Sequence, residues 1–379
     1  MSWTGVLHMK QPKEIAMKRR KFLQQAGAAT AATGFVLAGA PAIHAQKRLE
    51  IVMVTTWPRD LPGLGTGAQR FAQRLTDMTD GRINVQYYSA GERVGAFDSF
   101  DEVASGNAQM YHAADYYWVG KHPAWGYFTS VPFGMTCREI NSWIRFGGGQ
   151  ELWDELAESF GLKCLPCGNT GAQMGGWFKR EINSPDDLKG LKMRIPGLGG
   201  NFMTKLGVSP VAIPASQIYE NLMSGALDAA EWVGPWNDIY LKFYEAAKYY
   251  YPGVHEPGSL LSLGMNKAWW ESLSKSDQTL IEAAISMEND VMTAEFYAKN
   301  SESLEKLVTE QGVQLRRYTD EVYDAFGDAA IEVFEETQAH SELANRVHLS
   351  FEKSMKNVST WVQASDQAYL SQRSRVLGV

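Results

Sequence analysis

The first part of the chain alternates between the residue spacing of strands and that of helices. Apolar residues form a nearly continuous run over 49–54, and they then recur every three or four positions from Ala68 to Met78. These spacings are typical of a buried strand and of an amphipathic helix. The pattern predicts these elements: a strand over 49–54, a helix ending before Gly81, a strand over 83–87, a helix from about Phe97 to Ser105, and a strand over 109–113.

The same order of elements recurs after residue 160. The pattern predicts strands near 162–165 and 192–195, a helix over 200–206, a strand over 208–213, a helix from about 216 to 224, and a strand over 229–233. One helix of each unit ends on Ser-Gly, at 105–106 and at 224–225. Two similar units of this kind predict an α/β fold with two lobes whose strand ends face a shared cleft.

Beyond Glu256 the pattern becomes mainly helical. A strand over 260–266 is expected to return to the first lobe, and residues 274–312 predict one long helix because helical spacing continues with no interior Pro or Gly. A short strand over 313–318 and further helix follow. The last 50 residues contain an apolar stripe that includes Leu343, Val347, Phe351 and Val358. Such a stripe needs a partner surface, either on its own chain or on another copy.

The N-terminal residues resemble an export signal. Arg19-Arg20 precede Phe22-Leu23, a weakly apolar run rich in Ala and Gly over 26–40, and Pro-Ala-Ile-His-Ala at 41–45. This order fits a twin-arginine signal that is cleaved after Ala45, and the run is too short and too rich in Gly and Thr for a membrane anchor. Residues 1–16 are interpreted as an extension ahead of Met17. We therefore expect the mature protein in the periplasm.

The predicted organisation follows from these elements. It consists of an N-terminal extension with a signal peptide (1–45), a first lobe (46–168 and 256–273), a second lobe (169–255 and 313–335), a long connecting helix (274–312), and a C-terminal helical dimerisation segment (336–379).

Charge is distributed unevenly between the signal and the rest of the chain. The whole chain has 36 basic and 43 acidic residues, of which six basic residues and one acidic residue lie in 1–45. The mature chain therefore has 30 basic and 42 acidic residues, a net charge of −12. This excess of acids, with no basic run outside the N-terminus, argues against a nucleic-acid surface. An anionic ligand must be attracted locally.

Three cysteines, Cys137, Cys164 and Cys167, are too few for a disulfide framework. Cys164 and Cys167 have the spacing of a redox pair. They lie in an apparent strand, however, and not at the start of a helix that would lower a thiol pKa. We expect either a local disulfide or two unreactive thiols.

Four polar clusters between residues 168 and 258 contain the candidate chemistry. Each places charged or amide side chains next to Gly, Pro and large aromatic residues, as is typical of loops that converge on a small polar ligand. The clusters are Asn-Thr-Gly-Ala-Gln-Met-Gly-Gly at 169–176, Lys-Met-Arg-Ile-Pro-Gly at 192–197, Ala-Ala-Glu-Trp-Val-Gly-Pro-Trp-Asn at 229–237, and Tyr-Tyr-Tyr-Pro-Gly-Val-His-Glu-Pro-Gly at 249–258.

The order and spacing of these clusters resemble the solute receptors of tripartite ATP-independent periplasmic (TRAP) transporters, in particular those that bind 2-oxo acids and related carboxylates with a metal ion. The resemblance covers essentially all of the mature chain. It implies a two-lobe α/β receptor with a hinge helix, which binds a small monocarboxylate such as pyruvate or a 2-hydroxy acid. The receptor closes and delivers this solute to the membrane subunits of a TRAP permease. A homodimer built by exchange of C-terminal helices is also implied.

The resemblance assigns roles to individual residues. Arg194 is implied to bind the ligand carboxylate through its planar fork, and a surface salt bridge is the alternative interpretation. The Gln173 side-chain oxygen, the Glu231 carboxylate and the Trp232 backbone carbonyl are implied as ligands of a cation. Hard oxygen ligands suit Na⁺, with Ca²⁺ as the alternative.

Four more residues are candidates for the same site. Tyr117 and Asn237 occupy places that match ligand-contact positions in the family, although the aromatic neighbours of Tyr117 are alternatives. Glu256 is expected to support the site or to contact the ligand, and a purely structural role is the alternative. Trp57, at the end of the first strand, is expected to line the pocket, and a core position is the alternative.

Two other classes of protein compete with the receptor. An exported carbohydrate-active enzyme would use Glu231 and Glu256 as an acid/base pair, and the 12 tryptophans would suit sugar stacking. No nucleophile elbow, zinc helix, Walker loop or dinucleotide glycine pattern supports an enzyme. A ligand-sensing ectodomain would share the same binding chemistry and differ only in what docks on its closed form.

Overall fold

The strand-forming runs of the sequence give eleven strands in the computed structural model, which describes residues 48–378. The signal peptide and its cleavage after Ala45 lie outside the described residues. The strands are β1 (Leu49–Thr55), β2 (Ile83–Tyr88), β3 (Met110–Ala113), β4 (Leu162–Asn169), β5 (Met174–Phe178), β6 (Lys192–Arg194), β7 (Ser209–Val211), β8 (Ala229–Ala230), β9 (Tyr249–Pro252), β10 (Leu260–Asn266) and β11 (Gln314–Leu315).

Helices connect these strands and continue to the C-terminus. They are α1 (Leu64–Asp77), α2 (Ser99–Ala104), α3 (Cys137–Phe146), α4 (Gly149–Glu158), α5 (Gly197–Lys205), α6 (Ala215–Ser224), α7 (Pro235–Tyr240), α8 (Phe243–Ala246), α9 (Lys267–Ser272), α10 (Lys275–Thr309), α11 (Asp320–His340), α12 (Glu342–Val362) and α13 (Ala368–Leu377). A π-helical stretch, Gln363–Gln367, joins the last two helices. In residues 48–378 no helix is long and apolar enough to cross a membrane.

Two mixed sheets confirm the predicted two-lobe α/β fold. The first sheet has the strand order β2-β1-β3-β10-β4, and the second has the order β11-β9-β5-β8-β6-β7. Strands β1, β2 and β3 run parallel, whereas β10 runs antiparallel to both of its neighbours. As predicted, β10 returns the chain to the first sheet. β4, which opens the second unit in the sequence pattern, lies at the edge of the first sheet.

Helix α1 illustrates how the sequence forms these elements. Leu64, Ala68, Phe71 and Leu75 recur at helical spacing, and all four are buried. Fully burying one such side chain stabilises the fold by about 1.5–3 kcal/mol. The helix ends before a turn in which Gly81 has a φ of 78°, a conformation that glycine adopts at little cost. The predicted helix is therefore confirmed, with its start four residues earlier.

The predicted long helix is also confirmed. It is α10, which has 35 residues and begins at a Ser274 cap whose side chain accepts a hydrogen bond from Asp277 N. α10 packs against β4 and α1 on the side of the first sheet and against α7 on the side of the second sheet. A single stiff element thus contacts both halves of the molecule.

The apolar stripe near the C-terminus divides into two parts. Val347 and Phe351 are buried against the chain itself, where Phe351 packs edge-on against Trp143 and Tyr127 at centroid distances of 5.2 Å. A second subunit is therefore not what buries these two side chains, contrary to the dimer prediction for this part of the stripe. Further along, Trp361 is 70% exposed. The predicted segment boundary at residue 336 lies inside α11.

The structure also decides between the alternatives for the cysteines. All three are free thiols, and burial raises the pKa of Cys164 and Cys167 well above the usual range. Both lie in β4, so the unreactive-thiol interpretation is the one that the structure supports.

Candidate functional site

The polar clusters of the sequence meet where the chain passes between the two sheets. Arg194 ends β6, and Glu231 directly follows β8, the neighbouring parallel strand. Gln173 lies between β4 of the first sheet and β5 of the second. Glu256 lies on the return path from β9 to β10. Strands that are distant in sequence but adjacent in the sheets therefore bring these four side chains together.

Arg194 is completely buried and only partly satisfied. Its Nη1 donates to the Glu231 backbone oxygen at 2.6 Å and to Glu231 Oε2 at 3.1 Å, and its Nε donates to Ile213 O at 3.3 Å. The guanidinium lies 4.7 Å from the centroid of the Trp232 ring, a cation–π contact. Nη2 has no hydrogen-bond partner among the described residues. One N–H edge of this buried guanidinium therefore remains free to donate a hydrogen bond.

Glu231, His255 and Glu256 form a buried cluster beside this arginine. His255 Nε2 lies 3.6 Å from Glu231 Oε1 and 3.8 Å from Glu256 Oε1. Burial raises the pKa of Glu231 to about 8 against the opposing charge of Arg194, and burial together with the Glu231 charge raises the pKa of Glu256 to about 7. Burial lowers the pKa of His255. An added positive charge would favour the ionised form of both carboxylates.

Gln173 is held by two hydrogen bonds that leave its side-chain oxygen free. Its Nε2 donates to Thr170 Oγ1 at 3.0 Å, and its backbone N–H donates to Glu256 O at 2.9 Å. Gln173 Oε1 is buried and lacks a partner within residues 48–378. The side chain therefore presents an oriented acceptor, as its predicted role requires.

Aromatic side chains enclose a narrow cavity of about 10 Å³, room for little more than one water molecule. The Trp57 ring lies 6.2 Å from Tyr117 and 6.4 Å from Trp232 between centroids, and its Nε1 donates to His112 Nδ1 at 2.8 Å. Burial raises the pKa of Tyr117 to about 12, so its hydroxyl remains a donor at neutral pH. The lining residues are Trp57, Leu64, Tyr116, Tyr117, Thr170, Gln173, Trp232, Val233, Ser259 and Leu261.

Most of the predicted site residues lie at this cavity or beside it. Trp57, Tyr117, Gln173 and Trp232 line it, while Arg194 contacts Trp232 and Glu231. Asn237 does not line the cavity, because both groups of its side-chain amide bond elsewhere, to Trp232 and to Pro62.

Sequence reasoning named Tyr116 only among the aromatic alternatives to Tyr117, and it missed His255, Thr170 and Ser259. His255 had a readable signal, because it stands next to Glu256 in a cluster already identified as polar. Thr170 and Ser259 had no signal beyond their neighbours in sequence.

The site contains an unusual concentration of buried polar atoms without partners. These atoms in the described part of the chain are Gln173 Oε1, Arg194 Nη2, Glu231 Oε1, His255 Nε2, Glu256 Oε2 and Ser259 Oγ. Buried polar groups in proteins are almost always hydrogen-bonded, and leaving one unpaired costs about 1–3 kcal/mol. The free oxygens can bind a cation, and the free guanidinium donor beside them can bind an anion. The arrangement is therefore that of a binding site for a small charged solute.

Comparison with known proteins supports this assignment. The family model DctP, described as bacterial extracellular solute-binding protein, family 7, matches residues 53–341. The chain is 38% identical over 364 residues to the monocarboxylate 2-oxoacid-binding periplasmic protein of Nostoc sp., covering 93% of this chain and 98% of that protein.

Two solved structures are similar over almost their whole length. A TRAP periplasmic solute-binding protein from Pseudoalteromonas atlantica, with bound sodium and pyruvate, has a TM-score of 0.83 and 37% identity, covering 86% of this chain and 99% of that one. A TRAP solute-binding protein from Bordetella bronchiseptica is a mixed-occupancy dimer with calcium and picolinate in its active site. Its TM-score is 0.86 and its identity 32%, covering 88% of this chain and 99% of that one.

The matched region includes both sheets apart from the first four residues of β1, the long helix and every residue of the site described above. Because this family consists of receptors that bind solutes for transport, the carbohydrate-active enzyme considered from the sequence is the wrong class. The chain belongs to the DctP family of bacterial extracellular solute-binding proteins, family 7, the solute receptors of TRAP transporters.

Proposed function

We propose that this chain is a periplasmic receptor that binds a small 2-oxo monocarboxylate, such as pyruvate, through a bound cation and Arg194, and delivers it to the membrane subunits of a TRAP permease. The observation that carries the proposal is the set of buried unpartnered atoms on Gln173, Arg194 and Glu231. The solutes of the Nostoc and Pseudoalteromonas proteins support the same class.

Arg194 is the anchor for the solute carboxylate in this proposal. Its Nη1 is occupied by Glu231, so Nη2 is the donor that remains for the solute. A charge-assisted hydrogen bond of this kind is shorter and stronger than a neutral one. The Trp232 ring, whose centroid lies 4.7 Å from the guanidinium, packs against it. Arg194 therefore needs little reorganisation when the anion binds.

The residues of the site fit the cation that the family implies. Gln173 Oε1 and Glu231 Oε1 are buried oxygens that lack a donor within the described chain, and the Trp232 carbonyl completes the proposed protein ligands. Oxygen ligands of this kind suit Na⁺ or Ca²⁺. When bound, the cation supplies positive charge that offsets the repulsion between Glu231 and the anionic solute.

Calorimetry with the mature protein tests the proposal. Pyruvate should bind in buffer that contains Na⁺ or Ca²⁺, and its affinity should fall when the buffer is sodium-free and treated with a chelator. Restoring each ion separately identifies the one that supports binding. Full-strength binding of pyruvate without either ion would refute the cation-bridged site, and no binding under any condition would refute the solute class.

The proposed location rests on the N-terminal sequence. We infer export by the twin-arginine route with cleavage after Ala45, on the basis of Arg19-Arg20 and the weakly apolar run that follows. Mass spectrometry of the periplasmic protein should give a chain that begins at Gln46. Changing both arginines to lysine should retain the precursor in the cytoplasm, whereas secretion of that variant would point to the general route.

A homodimer through the C-terminal helices is also proposed. Trp361, Tyr369, Val376 and Leu377 are 64–70% exposed, an unusual set of large apolar side chains for a soluble surface. The Bordetella protein, which is a dimer, supports a dimeric state. In sedimentation, the full mature chain should be a dimer and a chain truncated after Val362 a monomer. A monomeric full chain at micromolar concentration would contradict the dimer.

A further inference from the structure

We propose that Asn237 is a closure latch: it joins the two lobes when the receptor is closed and does not contact the solute. Its Nδ2 donates to the Pro62 backbone oxygen at 2.9 Å, and its Oδ1 accepts from Trp232 Nε1 at 3.2 Å. The side chain is completely buried. This inference rests on the proposed receptor function, since a latch matters only to a protein that closes on a solute.

The two partners of Asn237 belong to different halves of the molecule. Pro62 lies between β1 of the first sheet and α1, whereas Asn237 is in α7, which follows β8 of the second sheet. The amide therefore makes a direct link from one lobe to the other. Its remaining bond, to the Trp232 indole, reaches the aromatic ring on which Arg194 stacks.

Both ends of the link are held in place by their surroundings. Gly63, next to Pro62, has a φ of 70°, and a Cβ on it would lie 2.5 Å from Phe296 and 2.9 Å from Trp236. The loop therefore approaches α10 and α7 as closely as glycine permits. At the start of α7, Trp236 N donates to Asn300 Oδ1 of α10 at 3.0 Å. The long helix thus positions donor and acceptor against each other.

The position of this link explains how it would affect binding. Opening the cleft separates Pro62 from Asn237, so the bond stabilises only the closed state. The apparent affinity for any solute scales with the fraction of receptor that is closed. Losing one buried hydrogen bond of this kind should lower the ratio of closed to open receptor about tenfold, which corresponds to about 1.4 kcal/mol.

Asn237→Ser is the test variant. Serine is too short to span the gap to the Pro62 carbonyl, and it adds no charge beside a site that binds an anion. Asn289→Ser is the matched control, because the buried Asn289 amide of α10 bonds on the side of the first sheet, accepting from Gly168 N and donating to Asn141 Oδ1, both at 3.2 Å. Asn237→Ala repeats the test if the serine variant does not fold.

Two quantities are measured on each protein. Electron–electron distance measurements between spin labels on exposed positions of the two lobes, Asp77 and Glu220, give the closed fraction without solute. Calorimetry gives the affinity for pyruvate and for 2-oxobutyrate in the presence of the supporting cation. The latch predicts that Asn237→Ser lowers the solute-free ratio of closed to open receptor about tenfold and lowers both affinities by the factor by which the closed fraction falls, while Asn289→Ser changes neither.

Each other outcome overturns the latch. A loss of affinity with an unchanged closed fraction would mean that Asn237 contacts the solute directly. Unchanged values for both quantities would mean that the link contributes nothing to closure. If the unmodified receptor binds neither acid, the proposed solute class fails, but the comparison of closed fractions between the unmodified protein and Asn237→Ser still tests the latch.

Discussion

Replacing Arg194 with lysine is the most informative single change in the site. Lysine keeps the positive charge beside Glu231, so the buried carboxylate does not lose its counter-ion. It removes the planar fork, which donates to two Glu231 oxygens and to Ile213 O and leaves Nη2 free. An ammonium group also stacks less well on the Trp232 ring than a guanidinium does. The variant therefore separates the contribution of the guanidinium geometry from that of its positive charge.

The expected loss follows from the contacts that disappear. A hydrogen bond to a charged group contributes about 1.5–3 kcal/mol, and the proposed bond from Nη2 to the solute carboxylate is of this kind. The stacking on Trp232, at 4.7 Å, adds on the order of 0.5–2 kcal/mol. The total is about 2–5 kcal/mol, and since about 1.4 kcal/mol is a tenfold change, pyruvate affinity should fall by about 30- to 4,000-fold.

Calorimetry with saturating cation measures this loss, and circular dichroism confirms that the variant is folded. Arg316→Lys is the matched control: Arg316 also lies over an aromatic ring, that of Tyr249, and pairs with Glu181 at 2.6 Å, but its side chain is 37% exposed. This control should bind pyruvate within about twofold of the unmodified protein, because exposed ion pairs contribute little. Equal affinities for Arg194→Lys and Arg316→Lys would refute the role of Arg194.

Two further changes test the buried acids. Glu231→Gln keeps the shape of the side chain but removes its charge, so cation and pyruvate affinity should fall together in calorimetry; loss of only one would separate their sites. Burial raises the pKa of Asp115 to about 7, so the folded chain holds a proton there that the unfolded chain releases above about pH 4. Stability should therefore fall as pH rises from about 4 to 7, and denaturant unfolding of Asp115→Asn should show a smaller fall.

Long, strongly patterned elements were the most predictable part of the fold. The strand β10 matched its predicted residues, 260–266, because a buried central strand reads as an apolar run between a turn and a helix cap. The helix α10 was predictable because no Pro or Gly interrupts its spacing. In both cases the local pattern and the final environment agree.

Elements with mixed signals were missed. The strand β5 contains Gly175-Gly176, and β9 ends on Pro252, so neither reads as a strand although both lie inside the second sheet. The helix α3 was also not predicted, although Thr136 and Glu139 form a capping box at its start that the sequence displays. Tertiary pairing, which the sequence does not display, decides such short elements.

The candidate site was predictable in its residues but not in its connections. Gln173, Glu231 and Trp232 stand out by their type and neighbours, yet their proximity depends on β8 lying between β5 and β6, an order unrelated to sequence. Asn237 was assigned to the ligand because its place matches a ligand-contact position in the family that the sequence resembles. Only the structure reveals that both of its amide groups are already engaged.

Charge balance in the buried site connects the proton, the cation and the solute. Arg194 supplies one positive charge, while Glu231, Glu256 and the solute carboxylate supply three negative charges when all are ionised. Burying two unbalanced negative charges is costly. Ca²⁺ neutralises both, whereas Na⁺ neutralises one and leaves the other to a proton.

The raised pKa values of Glu231, about 8, and Glu256, about 7, are those of groups that hold a proton near neutral pH in the absence of added positive charge. Pyruvate binding with Na⁺ should therefore leave one more proton on the protein than binding with Ca²⁺ does. Calorimetry in buffers of different ionisation enthalpy measures this difference at pH 8. Equal proton uptake with the two ions would mean that a charge outside this cluster completes the balance.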